Sequence, residues 1–113
     1  MRYRVLIETR AAIDIDQASG WIAAGSPEAA ELWFNGIEAA IYSLEHFPKR
    51  CPRAREDGLF KYELRQLVYG RGHRRHRIIF TVRDERVHVL HVRHGAFPTM
   101  TKDDVKNLLL PLE

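Results

Sequence analysis

Residues 61–95, KYELRQLVYGRGHRRHRIIFTVRDERVHVLHVRHG, alternate apolar and polar side chains at the two-residue period of half-buried strands. Arginines and histidines occupy many of the polar positions. A sheet with one apolar face and one cationic face is suited to meet an anion or an acidic partner. The stretch predicts strands near 60–69, 75–83 and 86–94. The last two form a hairpin around Asp84-Glu85, with Val82 opposite Val87.

Working outward, Arg2 to Glu8 alternates and reads as a first strand. Thr9 is placed to cap a helix with Ala11, Ile15, Ala18 and Ile22 on one face, closed by Gly25. Ser26-Pro27 opens a second helix, whose wide stripe runs Ala30, Trp33, Ile37, Ala40, Ile41 and Leu44 and ends before Pro48. The short link predicts an antiparallel helix hairpin. Residues 48–58 read as a turn-rich connection. Thr101 to Asp104 resembles a capping box for a short C-terminal helix, with Pro111 as its stop. The order predicts one α+β domain over residues 1–113, a helix hairpin packed on a mainly antiparallel sheet.

The 113 residues suffice for one core without metals or disulfides. Cys51 is the only cysteine, which excludes an internal disulfide and fits a reducing, cytoplasmic setting. No apolar run approaches a membrane span, and no histidine or cysteine spacing suggests a metal site, so neither metal nor cofactor is expected. The charge is unevenly spread. Residues 1–48 carry a net −4, residues 49–77 a net +7, and residues 78–113 are neutral. A cationic middle steers anionic partners.

If the hairpin pairing continues from Val82 and Val87, Phe80 meets Val89, Ile78 meets His91 and Arg77 meets Val92. One face then carries Ile78, Phe80, Val82, Val87 and Val89 and packs on the helices. The other, open face carries Arg77 and His94 as diagonal neighbours, and Arg65 joins them from the preceding strand. Arg65, Arg77 and His94 are therefore the candidate catalytic set: two permanent cations and one group that titrates near neutrality. The plainer alternatives are a sheet arginine paired with Glu63 or another carboxylate, and a strand-end histidine bonded to backbone. Arg71, His73, Arg74 and Arg75 form a basic hairpin loop that, with Arg93, is a candidate surface for nucleic acid or an acidic protein segment.

The order YRVLIETRAAIDIDQASGWI, EAAELWFNGIEAAIYSLEHFPKRC, ELRQLVYG, HRIIFTV and VHVLHVRHG resembles the RelE/ParE superfamily of bacterial type II toxin–antitoxin toxins, a class tied to plasmid stabilization. The resemblance spans nearly the whole chain. It implies a toxin neutralised by a cognate antitoxin whose acidic or amphipathic C-terminal segment wraps it. RelE-like members cut mRNA on the ribosome, and ParE-like members poison DNA gyrase. Arg77 matches the arginine of the family's strand motif, and Arg65 one basic position of the preceding strand. However, His76 stands where tyrosine is usual, Glu63 where a second base is usual, and Gly95 where a further arginine is expected. No tyrosine follows Tyr69. With Trp33 and Asn35 in the helix hairpin, the resemblance implies a ParE-like toxin. The alternatives are a RelE-like mRNA endonuclease using Arg65, Arg77 and His94, and a module that keeps only antitoxin recognition.

Overall fold

The computed structural model describes residues 2–60 and 62–108. Strand β1 (Arg4–Ile7) leads into helix α1 (Thr9–Gly25) and helix α2 (Pro27–Tyr42), which pack as a hairpin. Strands β2 (Arg65–Tyr69), β3 (His76–Arg83) and β4 (Arg86–His94) follow, then helix α3 (Lys102–Leu108). The sheet order is β1-β4-β3-β2; β1 runs parallel to β4, and the other pairs are antiparallel. The predicted stop at Pro111 lies outside the described residues. Among the described residues no helix is long and apolar enough to cross a membrane.

Local chemistry sets the element ends. Ser26 accepts the Ala29 N–H at 3.1 Å and Pro27 needs no donor, so α2 starts there. Thr9 does not cap α1: Glu8 holds that position without a side-chain bond. Thr101 and Asp104 cap α3 reciprocally, at 3.2 and 2.9 Å. Gly36 is required by packing, because a Cβ there would lie 1.9 Å from the Tyr69 hydroxyl, which donates to the Trp33 carbonyl.

The helix hairpin covers one face of the sheet. Ala11, Ile15, Trp33, Ile37 and Ile41 meet Ile78, Phe80, Val87 and Val89, as the alternation predicts. Cys51 is buried in the same core, and its burial pushes the thiol pKa up.

The opposite face is not open. Residues 52–60, Leu64 and the segment from Met100 to Val105 fold over it, and Ala54, Leu64, Ile79, Leu90, Met100 and Val105 make a second core. Arg77 sits in this layer, 1% exposed, and forks onto Glu56 with two 2.8 Å bonds. It also donates to Gln66 at 3.0 Å, while Glu56 accepts the Met100 N–H at 2.9 Å. One carboxylate thus ties the sheet to the 52–60 loop and to the C-terminal segment.

The hairpin register also departs from the expected one. Val82 pairs with Val87 and Phe80 with Val89, but Ile79 then pairs with His91, leaving Leu90 as the extra residue of a bulge. Beyond it Ile78 meets Val92, Arg77 meets Arg93 and His76 meets His94. One inserted residue moves every later β4 side chain to the other face. His94 and Val92 therefore turn toward the helices, away from Arg77. Asp14 of α1 supports the shift, bonding the Val92 N–H at 3.0 Å and the His91 ring at the β4 edge that β1 leaves unpaired.

Burial pushes the Glu56 carboxyl up, but the Arg77 hydrogen bonds, the Met100 N–H and the Arg77 charge outweigh it and hold the pKa at about 2, against an ordinary 4.5. A carboxyl with a depressed folded pKa contributes stability that is complete above its unfolded value and is lost as pH falls. The Glu56 contribution is thus present above pH 4.5 and lost toward pH 2. Arg77→Ala should cost about 3–5 kcal/mol at neutral pH, because it strands a buried carboxylate. It should also remove this acid-side loss. Urea denaturation at pH 7 and pH 3 checks both.

Candidate functional site

The bulge brings the far end of the β3–β4 hairpin against α1, and between them lies an open cleft of about 590 Å³. Its helical wall carries Arg10, Asp14, Ala18, Trp21 and Ile22; its other wall carries His73, Arg74, His76, His94 and Phe97. Trp21 is 83% exposed and Phe97 56% exposed, so two large rings stand in solvent at the rim. A large apolar side chain exposed to this degree is the observation that asks for a partner.

His94 organises the rim. Its Nδ1 accepts the Ala96 N–H at 3.0 Å, which places the proton on Nε2, and Nε2 donates to the His73 carbonyl at 2.6 Å. One imidazole therefore joins the basic loop to the turn bearing Phe97. The Gly95 N–H adds a 2.7 Å bond to the Arg75 carbonyl, and a Cβ at Gly95 would lie 2.9 Å from that oxygen. An arginine at Gly95 would meet the same obstacle. His76 packs edge-on against Trp33 and His94, with ring centroids 5.1 Å away in each case. Burial pushes its pKa down, opposed by the bond to the Arg74 carbonyl and reinforced by His94.

The predicted catalytic set does not converge. Arg77 is enclosed in the second core and His94 lies on the helix side of the sheet. Arg65 pairs with Phe80, shares its helix-side face, and is taken up by Glu63 at 2.8 Å and by the Cys51 and Lys49 carbonyls at 2.6 and 3.2 Å. Glu63 also bridges Arg53 at 3.2 Å. Arg93, which also lines the cleft, donates twice to the Pro98 carbonyl and lies 5.5 Å from the Phe97 ring.

The basic loop behaves differently. Arg71, His73, Arg74 and Arg75 are all exposed. Among the described residues, none of the three arginines has a carboxylate partner. Gly70 makes this loop possible with φ of +94°, since a Cβ there would strike the Arg74 carbonyl at 2.4 Å. Among the described residues no group of three or more His, Cys, Asp or Glu is arranged to hold a metal ion.

Sequence reasoning passed over Trp21, Phe97 and Asp14. Trp21 carried a signal: it follows the Ala18 position and sits ~100° from Ile22 around the helix, off the apolar stripe. Phe97 and Asp14 had none, because their roles depend on the bulge.

A model of the ParE toxin of the type II toxin–antitoxin system parDE matches residues 5–97. A solved structure described as the chromosomal ParDE TA system from P. aeruginosa superposes with a TM-score of 0.65 at 17% identity, over 82% of this chain and 96% of that one. That likeness is one of fold. Curated proteins produced no significant sequence match. The architecture is thus that of the RelE/ParE toxin superfamily. Within it, the chain belongs to the ParE toxin family of type II toxin–antitoxin systems.

His94→Ala removes one bond from each rim loop, worth about 1 kcal/mol apiece. Hydrogen exchange at Ala96 and Arg75 should accelerate roughly 5- to 30-fold, with the core amides unchanged.

Proposed function

We propose that this toxin acts by binding a macromolecular target, with DNA gyrase as that target, and that a cognate antitoxin with an acidic segment neutralises it. The observation that carries this reading is the sequestration of Arg77. RNA cleavage needs cations aimed at the phosphate where charge develops, and removing one such stabiliser costs roughly 10²–10³ in rate. Arg77 is spent on Glu56, Arg65 is spent on Glu63 and two carbonyls, and Glu63 adds a repelling charge. His94 is committed to backbone at both nitrogens, which leaves it poorly placed to relay a proton. Arg71, Arg74 and Arg75 stay exposed on the hairpin loop, where charge steers association.

The experiment pairs two assays on purified protein. DNA supercoiling by gyrase should be inhibited at stoichiometric toxin, while mRNA on programmed ribosomes stays intact. Cleavage of A-site codons, abolished by His94→Ala at unchanged core stability, would replace this reading with the RelE-like endonuclease.

A further inference from the structure

The cleft combines features that gyrase binding does not by itself require. Trp21 and Phe97 face solvent along its rim. Arg74 lines the cleft beside them, and Arg71 and Arg75 are exposed on the same loop; none of the three forms an ion pair among the described residues. The carboxylate lining the cleft, Asp14, already accepts from Arg10 at 3.0 Å and from the Val92 N–H at 3.0 Å and bonds the His91 ring. The trough is thus positive, apolar along Ala18 and Ile22, and edged by aromatic rings.

We infer that this cleft binds single-stranded DNA, with bases stacked on Trp21 and Phe97 and phosphates on Arg71, Arg74 and Arg75. An acidic protein segment would share the charge complementarity. The rings argue for bases, because both are largely exposed and an exposed aromatic ring is a surface on which a base can stack. Stacking on a flat ring is tolerant of sequence, and a cationic groove that tracks the backbone completes the arrangement. The arginines sit on a loop whose backbone is tied by His94 and by the Gly95–Arg75 bond to the turn that carries Phe97. The choice of DNA over RNA rests on the gyrase reading above. Contact with a strand lets the toxin recognise a gyrase–DNA complex in preference to the free enzyme.

Tryptophan fluorescence tests the inference on the intact chain. The protein has two tryptophans, and Trp33 is buried, so Trp21 reports on the cleft. A 12-nucleotide oligo-dT should quench it saturably at low salt. Affinity should fall with salt at a log–log slope of about −2, as expected for three phosphate contacts on a single strand. Trp21→Leu should weaken binding, read by anisotropy of labelled oligo-dT, roughly 5- to 150-fold. Replacing Arg71, Arg74 and Arg75 by Ala together should abolish the salt dependence. Both variants change exposed side chains, and unchanged Trp33 emission confirms their fold. Absence of quenching by oligo-dT overturns the inference. Equal or tighter binding of a polyglutamate peptide overturns it in favour of a protein segment, and tenfold tighter binding of oligo-rU in favour of RNA. No gyrase is present in this assay, so a failure here is distinguishable from a failure of gyrase inhibition in the supercoiling assay.

Discussion

The buried ion pair between Arg77 and Glu56 decides what this sheet can do. Burying two charges costs several kcal/mol per ion unless the geometry is close and the remaining polar atoms are satisfied. Here the guanidinium forks onto both carboxylate oxygens, Gln66 takes a further N–H, and the Met100 N–H donates to the carboxylate, while the Arg77 Nε–H is left without a partner among the described residues. The pair joins three segments far apart in sequence: the 52–60 loop, β3 and the approach to α3. With them in place Ala54, Leu64, Met100 and Val105 can cover Ile79 and Leu90. Without the pair those apolar side chains would have no fixed partner strand to cover. The cationic face that the alternation suggests is thereby converted into an interior.

The bulge at Leu90 is the second constraint, and it explains much of what the sequence concealed. The helices, the hairpin turn at Asp84-Glu85 and the Val82–Val87 pairing were legible because each rests on local periodicity or turn chemistry. The segment VHVLHVRH changes phase at Val89-Leu90, where two apolar residues adjoin and the apolar positions pass from odd to even numbers; carrying the odd phase through to His94 missed this trace. Its tertiary support is Asp14, 78 residues away, which bonds the Val92 N–H. Arg77 and His94, expected as neighbours, end on opposite faces for this reason. The second core was hidden differently. PRAREDG and the segment around Met100 are irregular and carry no period, and Glu56 looks like any solvated acid in a charged loop. The basic loop was legible as a charged hairpin, but the two exposed rings beside it were not.

These constraints separate the arginines around the sheet and loop that are held internally from those that are displayed. Arg53, Arg65 and Arg77 are matched by internal carboxylates, and Arg65 and Arg93 also hold backbone carbonyls in place. Arg71, Arg74 and Arg75 are displayed on a hairpin held by His94. In a member of the ParE toxin family, this division supports a toxin whose cationic surface attracts and grips a partner. The same fold can carry different activities, so the functional reading depends on which side chains are left available and not on the architecture.

The central claim is that Arg77 serves the fold and not the toxic chemistry, and one measurement separates the two. The double substitution Glu56→Gln with Arg77→Met removes both charges at once while leaving an amide oxygen for the Met100 N–H. Replacing a buried ion pair by uncharged groups of similar size is often close to neutral in stability. Denaturation and growth inhibition should be measured on the double variant beside Arg77→Met alone. The account predicts that Arg77→Met loses stability and toxicity together, and that adding Glu56→Gln restores both. A double variant that regains the stability of the natural chain yet remains non-toxic would contradict it, because the guanidinium would then be needed for action on the target itself.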